Sequence, residues 1–155
     1  MDVGEKFPEF VLADENGDML DSKNLQNIRY VLYFYPKDGT EGCTREAQDF
    51  TALYTKFMLR NIPVFGVSKN TPASHRKFKD HNNLKVKLLS DPEHILMEKV
   101  GAYGVKISYG KEVQGTIRST YIVGKDGFIE AFWNNVKVSG HAAKVLEKAI
   151  SLNKK

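Results

Sequence analysis

The chain has 155 residues, of which 41% are hydrophobic and 27% charged, and its 23 basic and 19 acidic side chains give a net charge of +4. This length and composition predict one globular domain over residues 1–155 and exclude a disordered or fibrous chain. Basic and acidic residues are interleaved and no apolar stretch approaches the ~20 residues that span a bilayer, so neither a nucleic-acid partner nor a membrane is expected.

The amino-terminal segments predict a β-hairpin. Two short apolar runs, at 10–12 and 19–20, flank the polar sequence 14–18, whose Asp, Asn and Gly residues favour a turn. Asp21 or Ser22 then caps a brief helical turn that ends near residue 26.

A buried strand and a long helix follow. Residues 29–35 are apolar almost throughout, which is typical of a central strand covered on both faces. After a loop at 36–42, a helix over about 42–60 carries apolar side chains every three or four residues, at Ala47, Phe50, Tyr54 and Phe57. Cys43 precedes Ala47 by one turn, so we expect its sulfur on the same inward face, sheltered yet open at the helix end.

Two cap-plus-proline signals mark the next helices. Thr71 followed by Pro72 begins a helix that runs to about residue 81, and Asp91 followed by Pro92 begins another that runs to about residue 100. The strands that precede these helices are predicted at 62–68 and 88–89.

The carboxyl-terminal third predicts a loop, a hairpin and a helix. Segment 101–115 contains four glycines and residues of mixed polarity, which indicate an irregular loop. Strands at 116–123 and 128–133, joined by an Asp-Gly turn, form an antiparallel pair. An amphipathic helix then runs from residue 139 or 140 to about 150.

This order of elements predicts an α/β fold with a mixed β-sheet flanked by helices and an N-terminal β-hairpin. A right-handed crossover places the strands of Val31 and Val64 side by side and parallel. Ligands in such sheets bind beyond the carboxyl ends of the strands. Tyr35 marks one of these ends, directly before the loop that leads to Cys43.

Cys43 is the only cysteine in the sequence, which excludes an intrachain disulfide, a Cys-rich zinc site and a CxxC dithiol. Free N–H groups and the positive dipole end of a helix favour the thiolate, the reactive form of the side chain. A free cysteine is more often a small buried apolar residue, so its position alone leaves both interpretations open. The absence of disulfides and of an apolar or Arg-rich leader suits a cytoplasmic location.

The motif Pro36-x-x-x-Thr40-x-x-Cys43 resembles the active-site pattern of the peroxiredoxins. The surrounding residues 33–46, and Arg118-Ser-Thr in segment 116–127, resemble the bacterioferritin-comigratory (BCP, or PrxQ) branch. This resemblance implies a thioredoxin-like fold and reduction of hydrogen peroxide or organic hydroperoxides, without a metal or bound organic cofactor. It assigns Cys43 as the peroxidatic cysteine.

The resemblance also implies roles for three neighbours of the sulfur. Thr40 would hydrogen-bond the peroxide and the sulfur, Pro36 would shield the pocket and Arg118 would stabilise the thiolate. From the sequence alone, Arg118 is only an arginine inside a predicted apolar strand, where its charge needs a partner. Nothing in the order of elements brings it near Cys43.

The sequence departs from this branch where many members carry a second, resolving cysteine, since Gln48 stands five positions after Cys43. The resemblance therefore implies one-cysteine turnover by a monomer, with an external thiol such as thioredoxin or glutaredoxin as reductant. A chain in which the resolving cysteine had been replaced by another residue would show the same sequence. A peroxide-sensing or chaperone-like redox switch is the alternative function.

A second departure is Glu41, which replaces the proline of the branch's motif. Its negative charge, two residues from the sulfur, opposes the thiolate if it lies close to it. If the carboxylate points to solvent, it instead interacts favourably with the helix dipole.

Overall fold

The computed structural model describes residues 1–154. The strands are β1 (Val11–Asp14), β2 (Met19–Asp21), β3 (Tyr30–Phe34), β4 (Val64–Ser68), β5 (Lys87–Ser90), β6 (Tyr103–Ser108), β7 (Lys111–Thr116), β8 (Ser119–Val123) and β9 (Ile129–Trp133). The α-helices are α1 (Glu41–Ala52), α2 (Tyr54–Met58), α3 (Pro72–Asn82), α4 (Ile95–Val100) and α5 (His141–Asn153), and a 3₁₀ turn spans Ser22–Leu25.

Strand β3 lies inside a seven-stranded mixed sheet of order β2-β1-β5-β4-β3-β8-β9. All five of its residues are buried, as the apolar run predicts. Val31 pairs with Val64 in the parallel contact with β4, which confirms the predicted parallel pairing of these two strands. On its other side β3 pairs antiparallel with β8, so Phe34 at the end of β3 faces Ser119 at the start of β8.

Alternate side chains of β3 enter two separate cores, one on each face of the sheet. Val31 and Tyr33 pack with α1, α2, α3 and α5, in the cluster that also contains Cys43. Leu32 and Phe34 pack with α4 and the amino-terminal segment. The period of two along the strand explains how one apolar run serves both layers.

The hairpin and two caps form as predicted. Strands β1 and β2 pair antiparallel, with Leu12 opposite Leu20. Asp21 caps the 3₁₀ turn by accepting a bond from the Lys23 N–H. Thr71 caps α3 by accepting from the Ser74 N–H, with proline at the first helical position.

The predicted helix 42–60 is interrupted at Leu53, which separates α1 from α2. Leu53 has φ −99° and ψ 2°, and its N–H lies within bonding distance of the carbonyls of both Asp49 and Phe50. Such shared bonds are common at helix ends. Phe50 and Phe57 are fully buried on either side of the break, whereas Tyr54, expected on the same face, is only half-buried.

The helix expected from Pro92 begins at Ile95 instead. His94 adopts a left-handed conformation (φ 49°), and the Asp91 side chain reaches across this turn to the N–H groups of Ile95, Leu96 and Met97. Asp91 is therefore a helix cap, as its residue type indicates, but for a helix that begins one turn later than the sequence predicts.

The irregular loop predicted at 101–115 is wrong, because β6 and β7 form a two-stranded hairpin there. Tyr109 and Gly110, both with positive φ (51° and 77°), form its two-residue turn, the conformation that tight hairpins favour. The strand predicted at 116–123 is consequently divided. Arg118 lies in the connection between β7 and β8 rather than inside a strand.

Candidate active site

Cys43 lies in the first turn of α1, beyond the carboxyl end of β3. Its sulfur accepts a hydrogen bond from Arg118 Nη2 at 3.3 Å. The side chain is only 1% exposed, so the sulfur is more enclosed than the sequence predicts. Cys43 belongs to the buried apolar cluster that also contains Tyr35 and Ala47, and the Arg118 guanidinium contacts its sulfur.

The antiparallel pairing of β3 with β8 explains how Arg118 reaches a cysteine 75 residues away. Because Ser119 faces Phe34, the residue before Ser119 lies beyond the end of β3, at the same edge of the sheet as the loop to Cys43. The guanidinium also lies next to Gly42, where a Cβ would be 3.4 Å from Arg118 Nη2, an ordinary van der Waals contact.

Glu46 completes the cluster, and sequence reasoning missed it. Arg118 Nη1 donates to Glu46 Oε1 at 2.6 Å, while the carboxylate is 1% exposed and its Oε2 has no hydrogen-bond partner within residues 1–154. Burial raises the pKa of Glu46 to about 7, although Arg118 opposes this rise. The available signal was its spacing, since a glutamate three residues after Cys43 falls on the buried face of the same helix.

The charge of Arg118 is retained in this partly buried position. Burial disfavours the guanidinium, but Glu46 and Cys43 outweigh that effect and raise the pKa of Arg118. The sulfur and the carboxylate thus share one cationic group, each through a different nitrogen atom.

Thr40 and Pro36 lie in the loop between β3 and α1. Thr40 is exposed, and its hydroxyl donates to the Lys37 carbonyl at 3.0 Å rather than to the Cys43 sulfur. Its own carbonyl accepts from the Thr44 N–H and hydroxyl, which closes the first turn of α1. Pro36 is half-buried. The structure thus brings Arg118 to the sulfur, and leaves the Thr40 hydroxyl bonded within its own loop.

The two positions that depart from the motif are both on the surface. Glu41 is the first residue of α1 and is exposed, where its carboxylate complements the helix dipole. Gln48 is exposed on the outer face of the same helix.

This arrangement suits a nucleophilic sulfur, because a cationic donor and a helix N-terminus both favour negative charge at Cys43.

Within residues 1–154 no group of three or more His, Cys, Asp or Glu side chains is placed to hold a metal ion. None of the helices in this part of the chain is long and apolar enough to cross a membrane.

Comparison with known proteins gives a consistent family assignment. Residues 3–132 match the model of the AhpC/TSA family. A peroxiredoxin bcp of Helicobacter pylori (strain J99) is 45% identical over 147 residues, which cover 95% of this chain and 97% of the relative. Peroxiredoxin Bcp of Bacillus subtilis is 36% identical over 155 residues, with 100% and 99% covered.

The fold matches solved structures of the same kind of protein. The bacterioferritin comigratory protein of Xanthomonas campestris, whose structures address its alkyl peroxide reduction activity, has a TM-score of 0.88 at 33% identity. The match covers 93% of this chain and 92% of that one. The mixed sheet flanked by helices is therefore the thioredoxin-like, peroxiredoxin-type fold, as the sequence predicts.

Proposed function

The chain belongs to the AhpC/TSA family and is a peroxiredoxin-type peroxidase, and we propose that it reduces hydroperoxides at Cys43 by one-cysteine turnover. The proposal rests above all on one contact, the hydrogen bond from Arg118 Nη2 to the Cys43 sulfur at the start of α1. The alkyl peroxide reduction described for the Xanthomonas relative supports organic hydroperoxides, beside hydrogen peroxide, as substrates.

In the first step the Cys43 thiolate attacks one oxygen of the hydroperoxide. The S–O bond forms as the O–O bond breaks, and the sulfur is oxidised by two electrons to a sulfenic acid. The departing oxygen takes the electron pair and a proton from solvent, which replaces the proton that the Cys43 thiol released on ionising, and leaves as water or an alcohol. Negative charge moves from sulfur to the leaving oxygen, so donors fixed along that path stabilise the transition state most.

The candidate donors are the Arg118 guanidinium and the N–H groups at the start of α1. Arg118 holds the sulfur in position before peroxide arrives, so little reorganisation accompanies the reaction. The Thr40 hydroxyl exchanges its bond to the Lys37 carbonyl for one to the peroxide. Pro36 limits the access of water from its half-buried position in the same loop.

Turnover requires an external reductant, because the sequence contains no second cysteine. A first external thiol converts the sulfenic acid to a mixed disulfide and water. A second thiol releases the Cys43 thiol and leaves with the first as a disulfide. A dithiol protein such as thioredoxin or glutaredoxin supplies both groups.

We further propose that the protein works as a single domain, as a monomer and in the cytoplasm, without a metal or organic cofactor. The two core clusters supplied by opposite faces of one sheet support the single domain. The chemistry itself needs only a thiolate, a hydroperoxide and a reducing thiol.

The decisive experiment follows hydrogen peroxide and an alkyl hydroperoxide over time in the presence of dithiothreitol. We expect steady consumption by the native chain and none above background by Cys43→Ser, which should stay folded by circular dichroism. Dimedone added after peroxide should label Cys43, as read by mass spectrometry.

Three outcomes would contradict parts of this proposal. Consumption of a single equivalent followed by none would favour the redox switch. Undiminished turnover by Cys43→Ser would remove the assigned nucleophile. An unlabelled Cys43 would exclude the sulfenic acid.

A further inference from the structure

A buried polar cluster, distinct from the Cys43–Arg118–Glu46 group, holds the loop that precedes the active cysteine. Its centre is Asp38, whose side chain is 5% exposed. Asp38 Oδ1 accepts from the Tyr35 hydroxyl at 2.6 Å. Asp38 Oδ2 accepts from the Ser74 hydroxyl at 2.8 Å and lies 2.7 Å from His75 Nδ1. Burial raises the pKa of Tyr35 well above its usual value, so its hydroxyl keeps the proton it donates.

His75 is fully buried, and both of its ring nitrogens face acceptors. Nε2 lies 3.0 Å from the Leu89 carbonyl oxygen, which only accepts hydrogen bonds, so Nε2 carries a hydrogen. Nδ1 contacts Asp38 Oδ2, and the Tyr35 hydroxyl lies 3.3 Å from the same nitrogen. The fully buried His75 ring therefore joins α3 to the loop through these polar contacts.

The backbone of the same loop is anchored on the same side. The Asp38 N–H donates to Asn70 Oδ1 at 2.9 Å, and Asn70 is itself held by the buried Ser68 hydroxyl. By contrast, the residues around Asp38 are weakly held. Gly39 has a positive φ of 81°, and Lys37 and Thr40 are exposed and bonded to each other. Asp38 is thus the main attachment of segment 36–40 to the rest of the fold.

We propose that His75 is a positioning residue for peroxide reduction: by holding Asp38 it fixes the loop that presents Thr40 and Pro36 to a peroxide at Cys43. The inference rests on the peroxidase function proposed above. His75 acts through Asp38 and does not itself touch the sulfur or the substrate.

The test compares two reactions of the same sulfur in His75→Gln. Peroxide attack needs the loop, whereas alkylation by iodoacetamide needs only an accessible thiolate, and Arg118 and α1 are unchanged in the variant. We expect a roughly 10- to 100-fold lower rate of peroxide attack, the range for small displacements of positioning groups. The alkylation rate should stay within about twofold. Hydrogen exchange at the Asp38 amide should become faster, since its bond to Asn70 depends on the same loop position.

Lys79→Gln is the matched control. It breaks another buried ion pair of α3, the one with Glu15, without touching the loop, and should alter neither reaction. Asp38→Asn should slow peroxide attack as His75→Gln does, and the double variant should be no slower than the worse single variant, because both changes break one interaction. If His75→Gln does not fold, Ser74→Ala, which removes one donor to Asp38, should show a smaller loss of the same kind.

Distinct results separate this inference from the proposed function. A native chain that attacks peroxide no faster than a simple thiol would overturn both. A fast native chain with an equally fast His75→Gln and Ser74→Ala would overturn only the positioning role. Equal slowing of peroxide attack and alkylation would also overturn it, because His75 would then be supporting the whole helix rather than the loop.

Discussion

At the scale of single residues, the site depends on one side chain that serves two partners. The guanidinium of Arg118 bonds the Cys43 sulfur through Nη2 and the Glu46 carboxylate through Nη1. A lysine has one compact ammonium group on a flexible chain, so it cannot reproduce this fixed two-sided geometry. The identity of the residue matters here as much as its charge.

We therefore predict that Arg118→Ala lowers the rate of peroxide attack by about 10²- to 10³-fold, the usual cost of removing one fixed donor to a developing charge. Arg118→Lys should keep the positive charge and still lose at least about tenfold, because one of the two bonds is broken. Rapid-quench mixing with peroxide, followed by mass spectrometry of the sulfenic acid, measures both rates.

Arg29→Ala is the matched control for this prediction. Arg29 also bonds a glutamate, Glu130, at 2.6 Å, but it lies outside the site described above. Its loss should leave peroxide attack unchanged. If the rate of peroxide attack fell equally in the Arg118 and Arg29 variants, compared at equal folded fraction, Arg118 would act through stability alone.

At the scale of elements, helix α4 illustrates how one buried side chain holds a short helix. Asp91 is 3% exposed, and its two oxygens accept from the N–H groups of Ile95, Leu96 and Met97 at 3.1, 3.4 and 2.9 Å. A helix of six residues has few hydrogen bonds of its own. Its first turn therefore depends on a partner outside the helix.

We predict that Asp91→Ala lowers the free energy of unfolding by about 1–3 kcal/mol, because it leaves buried N–H groups without an acceptor. Urea denaturation measures the change. Asp80→Ala, which removes an exposed ion pair with Arg76, should cost less than about 0.5 kcal/mol. A similar decrease in the unfolding free energy of both variants would mean that water satisfies the α4 amides when Asp91 is absent. Peroxide attack should be the same in both.

The same scale shows what the sequence predicts well and what it does not. Strand β3 and the start of α3 were predictable, because a continuous apolar run and a Thr-Pro cap are local signals. The β6–β7 hairpin was missed because the first four residues of β7 are exposed and show no apolar alternation. Its turn at Tyr109-Gly110, after the alternating Val105 and Ile107, was the available signal.

The active site also combines features that local sequence predicts with features that it does not. The position of Cys43 at a helix start follows from local sequence, whereas its contact with Arg118 arises from the pairing of β3 with β8. Glu46 was missed because a glutamate on a helix is ordinarily assigned to the surface. Its burial becomes evident only when the partner cation, 72 residues away, is in place.

At the scale of the whole molecule, two buried groups give the folding free energy opposite dependences on pH. Burial raises the pKa of Glu46 to about 7 from a reference of 4.5, so the folded chain binds the proton more tightly than the unfolded chain. Its contribution to stability is present at low pH and is lost as the pH rises from about 4.5 to 7.

His141, the first residue of α5, has the reverse effect. Burial, with smaller effects from Lys144 and Arg118, lowers the pKa of His141 to about 4 from 6.5. Its ring is 4% exposed and bonds the Thr120 hydroxyl at 2.7 Å. Its contribution is present above about pH 6.5 and is lost as the pH falls toward 4. Between pH 4.5 and 6.5 the two contributions oppose each other, each changing by up to about 1.4 kcal/mol per pH unit.

We predict that single substitutions reveal these opposed contributions. The unfolding free energy of Glu46→Gln minus that of the native chain should rise steadily from pH 4.5 to 7. The variant lacks the Glu46 contribution, which decreases with pH in the native chain. The same difference for His141→Gln should fall from pH 4 to 6.5, because this variant lacks the His141 contribution, which increases with pH in the native chain. Urea denaturation of the reduced protein at half-unit pH steps measures both, and His81→Gln, at an exposed position, should give a constant difference. Constant differences for Glu46→Gln and His141→Gln as well would mean that neither group changes its proton affinity on folding.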